Sequence, residues 1–241
     1  MNSTATSINQ EAVAQGSQAF FTSFLVILVS EIGDKTFLIA AVMAMTHSRL
    51  LIFSAAISAL LVMTVLSALM GQILPQLISK QYTEIGASFL FLIFGLKIGQ
   101  DAFKMTGNEC VEELEEVTAE LIDTSKKLEE GEAESTTVRQ RNYLPCLSPA
   151  WIQAFVLTFI AEWGDRSQIA TVALSGAQDF VWVTIGGILG HAICSGVAVI
   201  GGRMLATRIS VKTVSLAGSA LFMFFGIYGL YRSITEFDDN L

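Results

Sequence analysis

Glu31-Ile-Gly-Asp-Lys-Thr36 and Glu162-Trp-Gly-Asp-Arg-Ser167 carry the charged chemistry of this sequence. Each places two carboxylates three residues apart inside an otherwise apolar run. A charged side chain at the centre of a membrane helix costs roughly 2.5–3.5 kcal/mol on insertion scales. Four such acids, Glu31, Asp34, Glu162 and Asp165, therefore need a reason to be there. On a continuous helix, a spacing of three turns both acids of a motif toward one face. Two such helices facing each other would converge four carboxylates, and a cluster of hard oxygens suits Ca²⁺, Mn²⁺ or Mg²⁺. Thr36 and Ser167 would add hydroxyl oxygens and Gln168 an amide oxygen. Gly33 and Gly164, between the acids, permit close helix approach or local unwinding that frees carbonyls for a cation.

The neighbouring cations open a second reading. Lys35 can pair with Glu31 and Arg166 with Glu162 at i, i+4. Two intrahelical ion pairs would lower the cost of insertion, but they leave Asp34 and Asp165 buried without a partner. Charge counting favours a site. Each motif carries two negatives and one positive, so the two together sum to −2, which one divalent cation or two protons neutralise. Clustered carboxylates repel one another and hold protons when no metal is present. Binding that excludes one or the other is the core of an antiporter.

The elements that must position these residues are membrane helices. The 241 residues are 52% hydrophobic and only 15% charged, against about a quarter charged in a soluble domain. Six apolar runs near 18–45, 50–74, 84–106, 150–176, 180–205 and 212–234 have roughly the 20 residues a bilayer requires. Helix is the expected form, because lipid offers no partner to free backbone groups. A shift of 131 positions aligns the halves without a gap. The two acidic motifs coincide, Gly71 falls on Gly202, and Ser88–Gly95 falls on Ser219–Gly226. Three spans per half is an odd number, so equal folds must insert with opposite orientation, as in the inverted repeats of secondary transporters. The expected fold is thus an all-α membrane protein. It comprises a polar N-terminal tail (1–17), a first three-helix repeat (18–106), an acidic linker (107–149), a second three-helix repeat (150–234) and a short C-terminal tail (235–241).

The linker holds eleven of the chain's acids and four bases between Gly107 and Asn142. Val111, Leu114, Val117, Leu121 and Leu128 are spaced like one face of a short helix within it. Arg49, Lys104, Lys126, Lys127, Arg139, Arg141, Arg203, Arg208 and Lys212 lie in the first, third and fifth loops, while the opposite side carries mainly Lys80 and Arg232. Positive-inside counting puts the linker in the cytoplasm and both termini outside or in a lumen.

The remaining residues exclude more than they assign. The net charge of −8 argues against a nucleic-acid partner. Cys110, Cys146 and Cys194 give neither a disulfide framework nor zinc spacing. No P-loop, dinucleotide fingerprint or H-E-x-x-H is present, and no cofactor is expected beyond a transported cation. His47 falls at a loop. His191, inside the fifth span, has Leu60 as its counterpart in the first half; it reads as a packed histidine first, and as a proton relay or site member second. Gly186 and Gly190, and Ser54 and Ser58, mark close helix contacts.

The twice-repeated E-x-G-D-[KR]-[ST] pattern resembles the signature of the Gdt-type family of manganese/calcium cation–proton exchangers. Both copies match in full: Glu31, Gly33, Asp34, Lys35, Thr36 and Glu162, Gly164, Asp165, Arg166, Ser167. The resemblance implies exchange of Mn²⁺ or Ca²⁺ for H⁺, with the motif acids as the cation site. It leaves bacterial, plastid-type and Golgi membranes open. An exporter of a small organic cation would use the same carboxylates with an aromatic cage. A scaffold or assembly factor would tolerate charge-neutral motif variants, and an intramembrane hydrolase gives no reason for the duplication.

Overall fold

A computed structural model describes residues 2–105, 112, 114–119, 121–122, 148–206 and 210–238. Their regular structure is entirely helical. The main elements are α1 (Asn2–Glu31), α2 (Lys35–Thr46), α3 (Arg49–Leu77), α4 (Lys80–Lys104), α5 (Pro149–Ala161), α6 (Arg166–Ala177), α7 (Phe180–Ala206) and α8 (Val211–Asp238). Serines stand at several of the starts. Ser48, Ser79 and Ser148 are the N-caps of α3, α4 and α5, and Ser148 Oγ accepts the Trp151 N–H with Pro149 in the first turn.

Among the described residues, five helices are long and apolar enough to cross a membrane: Val13–Glu31 of α1, α3, α4, Phe180–Gly202 of α7 and Val211–Thr235 of α8. Their outer faces present large apolar side chains, such as Leu66 and Ile73 on α3, Ile93 on α4 and Ile200 on α7, which suits lipid rather than water. The chain is an integral, multi-pass membrane protein.

The expectation of continuous first and fourth spans is corrected. The first breaks between Glu31 and Lys35, the fourth between Ala161 and Arg166. The glycine of each motif is the cause. Gly33 has φ +83° and Gly164 +81°, a left-handed backbone that ends the right-handed helix before it; Gly202 (φ +53°) likewise kinks α7. Asp34 N–H closes each turn onto Glu31 O, and Asp165 N–H onto Glu162 O, before Asp34 and Asp165 cap the next helix.

Packing links the halves. α4 lies along α8, α1 along α7, α3 along α5, α6 and α7, and α2 along α7. Gly186 and Gly190 let α7 close on α1: a methyl at Gly186 would collide with the Phe20 carbonyl, and one at Gly190 would meet Ile27 Cβ at 3.0 Å. Ser54 accepts the Trp151 indole N–H at 3.0 Å, tying α3 to α5. Of the linker, a helical stretch at 114–119 turns Leu114 and Val117 into the core beside α2 and α3, with Leu121 following. The expected helical face is thus seen at those residues. Val111, Leu128, Cys110, Cys146 and the bases Lys126, Lys127, Arg139 and Arg141 lie outside the described residues, as does Arg208. Cys194 is a buried thiol within α7.

Candidate functional site

The two helix breaks meet inside the bundle, and the four acids separate there into two kinds. Glu31 and Glu162 are each only 2% exposed. Each ends its helix, and each has one oxygen held by the hydroxyl five residues on. Thr36 Oγ1 donates to Glu31 Oε2 at 3.2 Å, and Ser167 Oγ donates to Glu162 Oε1. The other oxygens, Glu31 Oε1 and Glu162 Oε2, are buried with no hydrogen-bond partner. His191 of α7 joins them from a third helix. One ligand atom each of Glu31, Glu162 and His191 lies within 4.8 Å of the others.

Asp34 and Asp165 sit instead on the wall of a cavity of about 510 Å³. That cavity runs from Gly33 and Gly164 past Lys97, Ile98 and Asp101 to Met105 and Val211, the ends of α4 and α8 next to the linker. The break accounts for the division. The i, i+3 rule that would align both acids of a motif requires an unbroken helix. Here Glu31 belongs to the end of one helix and Asp34 to the start of another.

The same break corrects the intrahelical ion pair expected in the second motif. Arg166 does not turn back to Glu162. Its guanidinium reaches the other half, 3.3 Å from Asp34 Oδ1, and donates to Ser30 O at 3.1 Å. Asp165 Oδ2 accepts the Ser167 N–H at 3.0 Å as the cap of α6. Thr36 and Ser167 position the glutamates. Gln168 Oε1 accepts the Gly164 N–H at 2.6 Å, so it braces the turn. Lys35 is half-buried at the start of α2. His47 is exposed, and its Nδ1 lies 2.9 Å from Thr46 Oγ1. The spacing gave no sign that His191 stands beside the glutamates. A polar residue on α7 opposite the first motif, at a position filled by Leu60 in the other half, was the available hint.

Glu31 Oε1, Glu162 Oε2 and His191 Nδ1 are each buried with no hydrogen-bond partner, which is costly in an apolar bundle unless a cation or proton binds there. Two carboxylate oxygens and an imidazole nitrogen can take a divalent cation, and the same oxygens can take protons in its place. The cavity is lined by Asp34 and Asp165, and Glu31, Glu162 and His191 lie behind its wall.

Comparison with known proteins agrees with this chemistry. The family model described as "Divalent cation/proton antiporter GDT1" matches residues 19–106 and again 150–237. The "Divalent cation/proton antiporter GDT1" of Saccharomyces cerevisiae is 39% identical over 253 residues, covering 95% of this chain and 90% of that one. A "GDT1-like protein 3" of Oryza sativa subsp. indica is 47% identical over 209 residues, 87% of this chain and 72% of that one. A GDT1-like protein of Synechocystis is 40% identical over 221 residues, 90% of this chain and 98% of its own. No solved structure matches the chain.

Proposed function

The chain belongs to the divalent cation/proton antiporter GDT1 family, and we propose that it exchanges Mn²⁺ and/or Ca²⁺ for protons, exporting the cation from the cytoplasm. As a member of a transporter family it is not an enzyme, and the divalent cation is its substrate. The observation that carries the proposal is the meeting of Glu31 and Glu162, one from each half, each buried with an unpaired oxygen. Asp34 and Asp165 receive the cation from the cavity, and Glu31 and Glu162 hold it. Arg166 keeps Asp34 neutralised between cycles. Two protons replace the cation on the return, because two bare carboxylates side by side in an apolar interior are strongly disfavoured.

The architecture we propose is two inverted three-helix repeats, with α1–α2 and α5–α6 as broken spans. The paired sequence motifs and the family match at 19–106 and 150–237 support it. The shift of 131 pairs α1 with α5, α2 with α6, α3 with α7 and α4 with α8. Most contacts occur in pairs under that exchange. Among the described residues the strongest exceptions are α4 on α6 and α1 on α8, with no comparable packing of α8 on α2 or of α4 on α5. We infer that the structure is one of two access states, open toward the linker. With the linker cytoplasmic by its bases and the termini outside or lumenal, this is the state that loads cytoplasmic cation.

An organic-cation exporter finds less support. Trp163, the aromatic beside a motif, is 66% exposed, and Phe94 alone among the cavity-lining residues is aromatic. Purified protein in liposomes with a trapped pH dye tests the proposal. Imposed Mn²⁺ or Ca²⁺ gradients should drive proton movement, lost in Asp34→Asn and Asp165→Asn. If neither cation moves protons, or if the variants match the wild type, the exchanger site proposed here is wrong.

A further inference from the structure

The divalent-cation site just proposed has three elements converging on it, and the third brings nitrogen. His191 is 4% exposed, its Nδ1 has no hydrogen-bond partner, and that atom is 3.8 Å from Glu31 Oε2, too far for a hydrogen bond. With the ring proton on Nε2, Nδ1 presents a lone pair. The fold goes to some length to put it there. Gly190, the preceding residue, leaves α7 only a methyl's width from Ile27 on α1, and a methyl added at Gly187 would stand 3.1 Å from Thr64 Cγ2 on α3. Side chains at those positions would push His191 away from Glu31.

We propose, resting on the cation-site reading above, that His191 is a direct ligand of the transported ion and biases the site toward Mn²⁺ over Ca²⁺. Ca²⁺ takes six to eight oxygen ligands and gains nothing from a nitrogen that occupies a ligand position. A first-row transition ion accepts imidazole alongside carboxylate. Leu60 is the equivalent residue on α3, so the site has one nitrogen contributed by one half. It therefore departs from the symmetry of the acids around it.

The test is cation binding to the purified full-length protein, with Mn²⁺ alone and Ca²⁺ alone, for wild type, His191→Gln and Glu31→Gln. His191→Gln should weaken Mn²⁺ by on the order of ten- to a hundredfold, the loss seen when even an outer partner of a metal ligand is removed. Ca²⁺ should bind as well as before or better, since glutamine offers an oxygen. Equal losses for both ions, or none, would overturn the proposal. The pulsed electron-spin-echo spectrum of Mn²⁺ on the wild type supplies a readout that needs no variant. It should show modulation from ¹⁴N; Mn²⁺ held without nitrogen coupling would overturn the role of His191 even while the carboxylate site stands. Glu31→Gln separates the two readings. It should lose both ions, and if it binds both normally the carboxylate site itself fails, taking this ligand assignment with it.

Discussion

Glu31 and Glu162 show how one local arrangement serves both halves. A carboxylate ends a helix, a hydroxyl five residues later holds one of its oxygens, and the other oxygen is buried with no hydrogen-bond partner. The hydroxyls therefore orient the glutamates. Thr36→Val and Ser167→Ala should each weaken cation binding by on the order of tenfold or more while the protein still folds; titration of the purified variants checks this, and unchanged affinity would reduce the hydroxyls to packing. The positions of the four acids were legible in the sequence from their type, their apolar setting and their duplication. Their division was not. Periodicity places Glu31 and Asp34 together only along an unbroken helix, and it gives no hint that Arg166 crosses to Asp34. Nor could spacing within a motif find His191, because its neighbours come from other helices.

At the scale of the elements, the breaks in the first and fourth spans decide the geometry. The sequence placed glycines between the acids and allowed unwinding there. Whether a glycine sits in helix or in a left-handed turn depends on the whole surrounding fold, so hydropathy alone read straight through both. Gly164 offers a clean test, since a methyl there would meet nothing within 4 Å. Any effect of Gly164→Ala comes from its φ of +81° and should cost about 1–2 kcal/mol. Gly164→Asn should cost less, because asparagine tolerates the left-handed region. Thermal unfolding in detergent compares them, and equal stability of the two variants would argue against a backbone requirement. The long spans were legible because twenty apolar residues leave few alternatives to a membrane helix.

For the whole molecule, the sequence repeat suggests two equivalent halves, yet the halves do not pack equivalently. A methyl on Gly71 of α3 would collide with the Val172 carbonyl of α6. Its counterpart Gly202 on α7 would have 3.9 Å to the Ala41 carbonyl of α2, and it has a φ of +53° that Gly71 lacks. The packing at Gly71 is tight and that at Gly202 slack, a difference that the two access states proposed above would exchange. Thr83 of α4 touches Gly176 of α6 on the tight side, a methyl there standing 2.9 Å away. Cysteines at these two positions, with Cys110, Cys146 and Cys194 replaced, should cross-link readily and stop transport. Cysteines at the counterparts Val214 and Met45 should cross-link during turnover with cation and a pH gradient; labelling that never depends on substrate would contradict two access states. The central claim is that cation and protons compete for Glu31 and Glu162. The most direct measurement is Mn²⁺ binding to purified protein as a function of pH, in wild type, Glu31→Gln and Glu162→Gln. Affinity should fall as pH falls, with protons released on binding, and each variant should lose most of its affinity. Binding that is independent of pH, or unchanged in both variants, would contradict the account.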